Sequence, residues 1–231
     1  MQGFIGTGIH RLYKAFWDAK PNKSNKEFIK QKMKDALNWD LAIDKPNLPE
    51  MHKRFIGVKY YEIINDDMVE QAYNTCTQMK EALEKEFNIK EGEELYYMTE
   101  VPMVSNFRSD LNSEESTNLL GSLDLVVIDP KGNIHVIDYK TSPKPYSEYD
   151  DAKKLTFNYQ LATYRRMIEQ RGFNLTGESG VYVIPVQFTD FKVNHVDDPV
   201  KDALKIVNFS GIKLNSVILE SLPITEDSRI Q

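Results

Sequence analysis

Apolar residues recur along this chain with two different periods. Near the N-terminus Ile9, Leu12, Tyr13, Phe16 and Trp17 fall at i, i+3, i+4, i+7 and i+8, the stripe of an amphipathic helix. Gly6-Thr7-Gly8 opens it, with Thr7 as the expected N-cap. A second helix is expected over Asn25–Trp39. A long third one is expected over Asp66–Phe87, capped by Asp66 or Asp67 and apolar at Val69, Ala72, Cys76, Met79 and Leu83. The Pro-containing connection Lys45–Glu50 separates these helices, and the nearby His52 reads as a surface residue. Strand-like segments follow. Leu95–Val104 reads as a first strand and Phe107–Thr117 as a polar hairpin loop. Ser142–Asp151, with Pro143 and Pro145, reads as a loop. The stripe Phe157, Leu161, Tyr164 and Ile168 predicts a helix from about Asp151 to Gln170. Gly180–Phe188 reads as another strand, with Pro185 marking an edge or a bulge. Beyond Asp190 the pattern blurs, and Ala203–Phe209 and Val217–Leu222 fit helix and strand equally.

The stretch Gly121–Thr141 organises the rest. It holds two apolar runs around Asp129-Pro130-Lys131-Gly132-Asn133. Pro130 pre-sets φ for a turn, and Gly132 can take the positive φ that a three-residue hairpin loop needs. With Lys131 at the centre, Asp129 opposes Asn133 and Asp124 opposes Asp138. Directly opposed residues have Cβ atoms about 5 Å apart, and like charges there repel. Lys140 shares a face with Asp138 and stands opposite Ser122. The remaining positions are Leu, Val and Ile, the composition of a sheet covered on both faces.

Two carboxylates and an ammonium inside a covered sheet are costly unless something pairs them. A divalent cation between Asp124 and Asp138 removes the repulsion, and hard cations such as Mg²⁺ select oxygen ligands. Lys140 beside such an ion completes a layout for phosphodiester hydrolysis. The bland alternative is an ordinary hairpin in which Asp138 and Lys140 form a salt bridge.

Composition narrows the classes. At 231 residues the chain suffices for one large domain or two small ones. No apolar run reaches the length of a membrane span and no signal peptide is visible, so a soluble, non-secreted intracellular protein is expected. Cys76 is the only cysteine, which excludes a disulfide framework and a four-cysteine cluster. Net charge is −6, but residues 1–60 carry +6 and 131–171 carry +3, against −12 over 61–130. A basic face able to follow a phosphate backbone is compatible with that distribution, and so is a set of solvated lysines.

The residues Gly121-x-x-Asp124 and Val136-Ile137-Asp138-Tyr139-Lys140-Thr141 resemble the PD-(D/E)XK nuclease superfamily, in which an Asp on one strand and (Asp/Glu)-x-Lys on the next form the metal site. Two further patterns in the same order resemble its RecB-like exonuclease branch, which includes the CRISPR-adaptation nucleases and the mitochondrial genome maintenance exonuclease. They are Gly6-x-x-x-His10 on an early helix and Gln160-x-x-x-Tyr164 on the helix after D-x-K. The resemblance implies an α/β fold with a restriction-endonuclease-like core, a mixed β-sheet flanked by helices. It implies one nuclease domain over 1–231, with a helical part over about 1–90, a catalytic core over about 91–190 and an extension over about 191–231. Because the motif helix begins close to Met1, this chain would also fit as a fragment of a longer protein.

As to chemistry, the resemblance implies Mg²⁺ or Mn²⁺ held by Asp124, Asp138, His10 and the backbone carbonyl of Tyr139. Lys140 would act on the attacking water and the phosphate, and Gln160 and Tyr164 would position the strand. Glu100, on the first strand, is a further candidate ligand, with a solvent-exposed strand residue as its alternative reading. Lys144, in the loop after the hairpin, is placed to touch a phosphate. For His10 the alternative is a packing or capping histidine, and for Gln160 and Tyr164 a core tyrosine with a flanking amide. The implied function is metal-dependent hydrolysis of DNA, on single strands or duplex ends, by an exonuclease of repair, recombination or replication. It would work in the cytoplasm or another DNA-containing compartment, in a larger assembly or alone. The alternatives are a non-catalytic nucleic-acid-binding module that retains the fold and a plain metal-binding domain.

Overall fold

The computed structural model describes residues 2–22, 24–40, 57–62, 64–108, 116–142, 148–173, 180–187 and 220–221. His52, the Lys45–Glu50 connection, Lys144 and the Ala203–Phe209 segment lie outside them. The chain forms two compact units. One comprises residues 1–81 with 141–145 and 186–216, and the other residues 82–140 with 146–185 and 217–231.

The first unit is helical. Helix α1, Gln2–Asp18, buries the expected stripe of Ile9, Leu12, Tyr13, Phe16 and Trp17. It starts a turn earlier than expected, so Thr7 lies inside it and is not its N-cap. Gly8 serves packing and not a turn. A Cβ there would stand 2.2 Å from Ile64 Cδ1 and 2.9 Å from Tyr60 Cδ1. Helix α2, Lys26–Ala36, buries Ile29 and Met33. Helix α3, Asp66–Glu86, is capped by Asn65, whose side chain accepts the Met68 N–H at 3.0 Å, in place of the expected Asp66 or Asp67. Those two acids occupy the first turn, where the helix dipole favours them. Lys30 and Lys26 of α2 pair with Glu70, and Lys34 with Asp66. Cys76 is buried among the apolar residues of α3.

The second unit is a sheet with strand order β1-β2-β3-β4-β5: Tyr96–Arg108, Ser116–Ile128, Ile134–Ser142, Gly180–Gln187 and Glu220–Ser221. β1/β2, β2/β3 and β4/β5 are antiparallel. β1 and β2 run further than expected, taking in Phe107, Arg108, Ser116 and Thr117 from the anticipated loop. Among the described residues β5 pairs with Tyr182 and Val183, and Pro185 stands beyond that paired stretch. Helix α4, Asp151–Gln170, is capped by Asp150, which accepts the Lys153 N–H at 2.7 Å. It buries Leu161, Tyr164, Met167 and Ile168 against Met103, Leu123, Val126 and Val136 of the sheet. On another face of the sheet Phe87, just past α3, stacks on the buried His135 with ring centroids 3.7 Å apart.

The β2–β3 hairpin has the expected register, with Ile128 opposite Ile134 and Leu125 opposite Ile137. Gly132 takes φ +85°. Asp129 closes the turn. Its carboxylate accepts the N–H groups of Lys131 and Asn133 at 2.9 Å each and the Asn133 side-chain amide at 2.8 Å.

One residue breaks the alternation of β1. Met98, Val101 and Met103 all contribute to the layer under α4, and so do Leu123 and Val126 of β2. In a regular strand, residues three apart face opposite ways. The switch occurs at Glu100, which has φ +47° and stands level with Asp124 between the pairs Thr99↔Leu125 and Val101↔Leu123. A left-handed residue other than glycine costs about 1–3 kcal/mol, and such residues cluster at functional sites.

Asp129 makes a testable contribution to stability. Burial alone would raise its carboxyl pKa, but the hydrogen bonds from Asn133, His135 and the Lys131 backbone outweigh that and hold it below the usual value. A depressed folded-state pKa stabilises the fold above the unfolded value, about 3.9, and that stabilisation is lost as pH falls through the folded value. Asp129→Ala is expected to cost about 1–2 kcal/mol at neutral pH. In chemical denaturation the gap from wild type should narrow in acid. A gap unchanged down to about pH 2 would contradict this account.

Candidate active site

Asp124 sits where β2 and β3 part. The paired stretch ends at Leu125↔Ile137. One residue further, the Asp124 carboxylate, not a ladder carbonyl, accepts the backbone N–H of Tyr139 at 2.8 Å. The side chain of Tyr139 is buried. Asp138, one residue past the last paired residue Ile137, is only 2% exposed. A carboxylate so buried needs a charged partner, and Lys140 supplies it with Nζ 2.5 Å from Oδ2. Lys140 Nζ also donates to Gln160 Oε1 at 2.9 Å and lies 5.1 Å from the centre of the Phe157 ring.

Gln160 joins these groups to α4. Its amide nitrogen donates to the Tyr164 hydroxyl at 2.7 Å and to Asp138 Oδ1 at 3.3 Å. Tyr164 belongs both to the core under α4 and to this polar chain. Burial raises its pKa and outweighs the opposing hydrogen bond from Gln160, with smaller upward contributions from Asp138, Asp124 and Glu100. The hydroxyl therefore stays protonated at neutral pH and keeps its own O–H to donate. Gly121 lets the Tyr164 ring lie close to β2, since a Cβ there would stand 3.3 Å from Tyr164 Cε1.

Glu100 is half-buried and has a carboxylate oxygen within 4.8 Å of one from Asp124. Two carboxylates this close repel unless a cation or a shared proton lies between them. Their hard oxygen donors suit a divalent ion such as Mg²⁺ or Mn²⁺. Ser122, which sequence reading placed only as the residue opposite Lys140, donates through Oγ to Glu100 Oε2 at 3.1 Å. His10 belongs to the first unit, half-buried on α1.

A signal for Glu100 was present in the sequence. Met98-x-x-Val101-x-Met103 breaks the period of two once, at the stretch holding the carboxylate. Among the described residues no helix is long and apolar enough to cross a membrane.

No curated protein matches the chain. The solved structure titled "Crystal structure of SSO0001" aligns at 16% identity and a TM-score of 0.28, covering 63% of this chain and 63% of that one. The family model of the PD-(D/E)XK nuclease superfamily matches residues 2–211. That match spans nearly the whole chain, so the protein belongs to the PD-(D/E)XK nuclease superfamily, whose members use divalent metal ions to cleave nucleic acid.

Proposed function

We propose that this protein is a RecB-like, Mg²⁺- or Mn²⁺-dependent deoxyribonuclease that acts as an exonuclease on single-stranded or duplex DNA ends in repair, recombination or replication. The observation that carries the reading is the chain Asp138–Lys140–Gln160–Tyr164, which begins in the buried sheet and ends on α4. Core packing alone does not require an amide bridging an ion pair to a tyrosine. The three motifs at Gly6–His10, Asp124–Lys140 and Gln160–Tyr164 occur in the family's order, which supports the RecB-like assignment.

Asp124 and Glu100 would hold the ion, together with Asp138 and the Tyr139 carbonyl. His10 enters on its motif alone. The ion, when bound, supplies Lewis-acid charge neutralisation for phosphodiester hydrolysis. The protein's own groups do the rest. Asp138 and Gln160 aim the Lys140 ammonium, which orients the attacking water and offsets charge developing on the phosphate. Gln160 holds the Tyr164 oxygen, so its O–H points a donor at the nucleic-acid strand. Lys144 would add a phosphate contact from the loop after β3.

Cleavage of linear DNA should require Mg²⁺ or Mn²⁺ and stop on addition of EDTA. Asp124→Asn should lower it by about a hundredfold or more. Nucleotide release from linear but not from covalently closed circular DNA would identify an exonuclease. Equal cutting of both forms would overturn that part, and absence of cleavage with both metals would favour the non-catalytic module.

Lys140→Ala tests two effects at once. It strands a buried carboxylate, so thermal stability should fall by about 3 kcal/mol and recover in part when Asp138→Asn is added. Cleavage, measured well below the melting midpoint, should fall by about a hundredfold or more. A folded Lys140→Ala protein with full activity would make the ion pair purely structural.

Tyr164→Phe keeps the ring in the core and removes the O–H. It should weaken cleavage while leaving Mn²⁺ binding unchanged. Loss of Mn²⁺ affinity in this variant would refute a role on the strand.

A further inference from the structure

We propose that Ser122 is a positioning residue for the metal site, and that its hydroxyl orients Glu100 toward the side shared with Asp124. The proposal rests on the reading above that Glu100 and Asp124 hold the divalent ion. Ser122 lies two residues before Asp124 on β2, opposite Pro102, and so diagonally across from Glu100. Its Oγ donates to Glu100 Oε2 at 3.1 Å. Glutamate has three rotatable bonds and, half-buried, has room to turn away from its neighbour. Repulsion from Asp124, within 4.8 Å, favours that escape whenever no cation is present.

Two features oppose it. The left-handed backbone of Glu100, φ +47°, takes the residue out of regular alternation. The Ser122 hydroxyl then fixes one carboxylate oxygen and leaves the group's other lone pairs for an ion. Hydrogen bonds that hold a ligating carboxylate in place commonly govern metal affinity as strongly as some ligands do. A half-buried hydroxyl–carboxylate bond, by contrast, contributes little to folding. Its effect is expected on metal affinity and not on the metal-free fold.

The test is calorimetric titration of Mn²⁺ into the full chain, with thermal midpoints taken without metal. Ser122→Ala should weaken Mn²⁺ binding about tenfold and leave the metal-free midpoint unchanged. Ser122→Thr, which restores the hydroxyl on a strand-compatible side chain, should recover wild-type affinity. Glu100→Gln should lose at least as much affinity as Ser122→Ala. Wild-type affinity in Ser122→Ala, failure of Ser122→Thr to recover it, or wild-type affinity in Glu100→Gln would each overturn the proposal. Asp124→Asn separates this failure from that of the underlying reading. If it loses Mn²⁺ while Ser122→Ala binds normally, only the role of Ser122 is wrong. If it binds as wild type does, the metal site itself is misplaced and the proposal falls with it.

Discussion

A single left-handed residue in β1 decides where the charges of this protein stand. Strand alternation would send Met98 and Val101 to opposite faces, yet both pack toward α4. The backbone of Glu100, at φ +47°, absorbs the extra rotation. The β1–β2 register survives, because β2 makes the same change at Asp124, between Leu123 and Leu125, which are both buried. Residues at the point of switching stand between the two regular halves of the strand pair. That is where two carboxylates can approach each other and remain accessible to an ion. The strain is sustained because apolar burial on both flanks over-determines the conformation.

The same division governs the electrostatics. Asp138 is too deeply buried to depend on solvent, and its charge is met within the fold by Lys140 and by the Gln160 amide. Glu100 and Asp124 are half-buried and accept, among other interactions, the Ser122 hydroxyl and the Tyr139 backbone N–H. A buried acid paired with a lysine and two half-buried acids within 4.8 Å of each other make an asymmetric arrangement. In the function proposed above, the permanent cation would serve the substrate's charge, and the acid pair is where the divalent ion would bind. A symmetric hairpin salt bridge would not need the second pair.

Local chemistry made much of this legible in the sequence. The Asp129–Asn133 turn has one economical geometry, and centring it on Lys131 set the register from Ile128↔Ile134 to Leu125↔Ile137, where the ladder ends one residue short of Asp124 and Asp138. The i, i+4 spacing of Gln160 and Tyr164 put both on one side of α4, and they are hydrogen-bonded to each other there. The misses have a common physical source, because each depends on a tertiary neighbour. Thr7 looked like a cap because glycine flanks it, but Gly8 is needed to admit Tyr60 and Ile64. Asn65 displaced the two aspartates as cap of α3, and both fit the same local rule. Ser122 gave no signal, since its partner is 22 residues away and reaches it only after the strand switches face.

Tyr164 shows why the site and the core cannot be separated. Its ring is part of the cluster that fastens α4 to the sheet, and the bare backbone of Gly121 admits it. Its hydroxyl ends the polar chain that begins at Asp138. Close packing makes ring position sensitive to shifts of a few tenths of an ångström, and the hydrogen bond to Gln160 passes such a shift on to the amide that also holds Lys140. Core substitutions beneath α4, at Met103 or Met167, would therefore act on the geometry of the lysine without touching it. The rigid helix gives the ammonium its aim, and the apolar layer gives the helix its rigidity. The geometry of this arrangement is thus a property of packing as much as of charge.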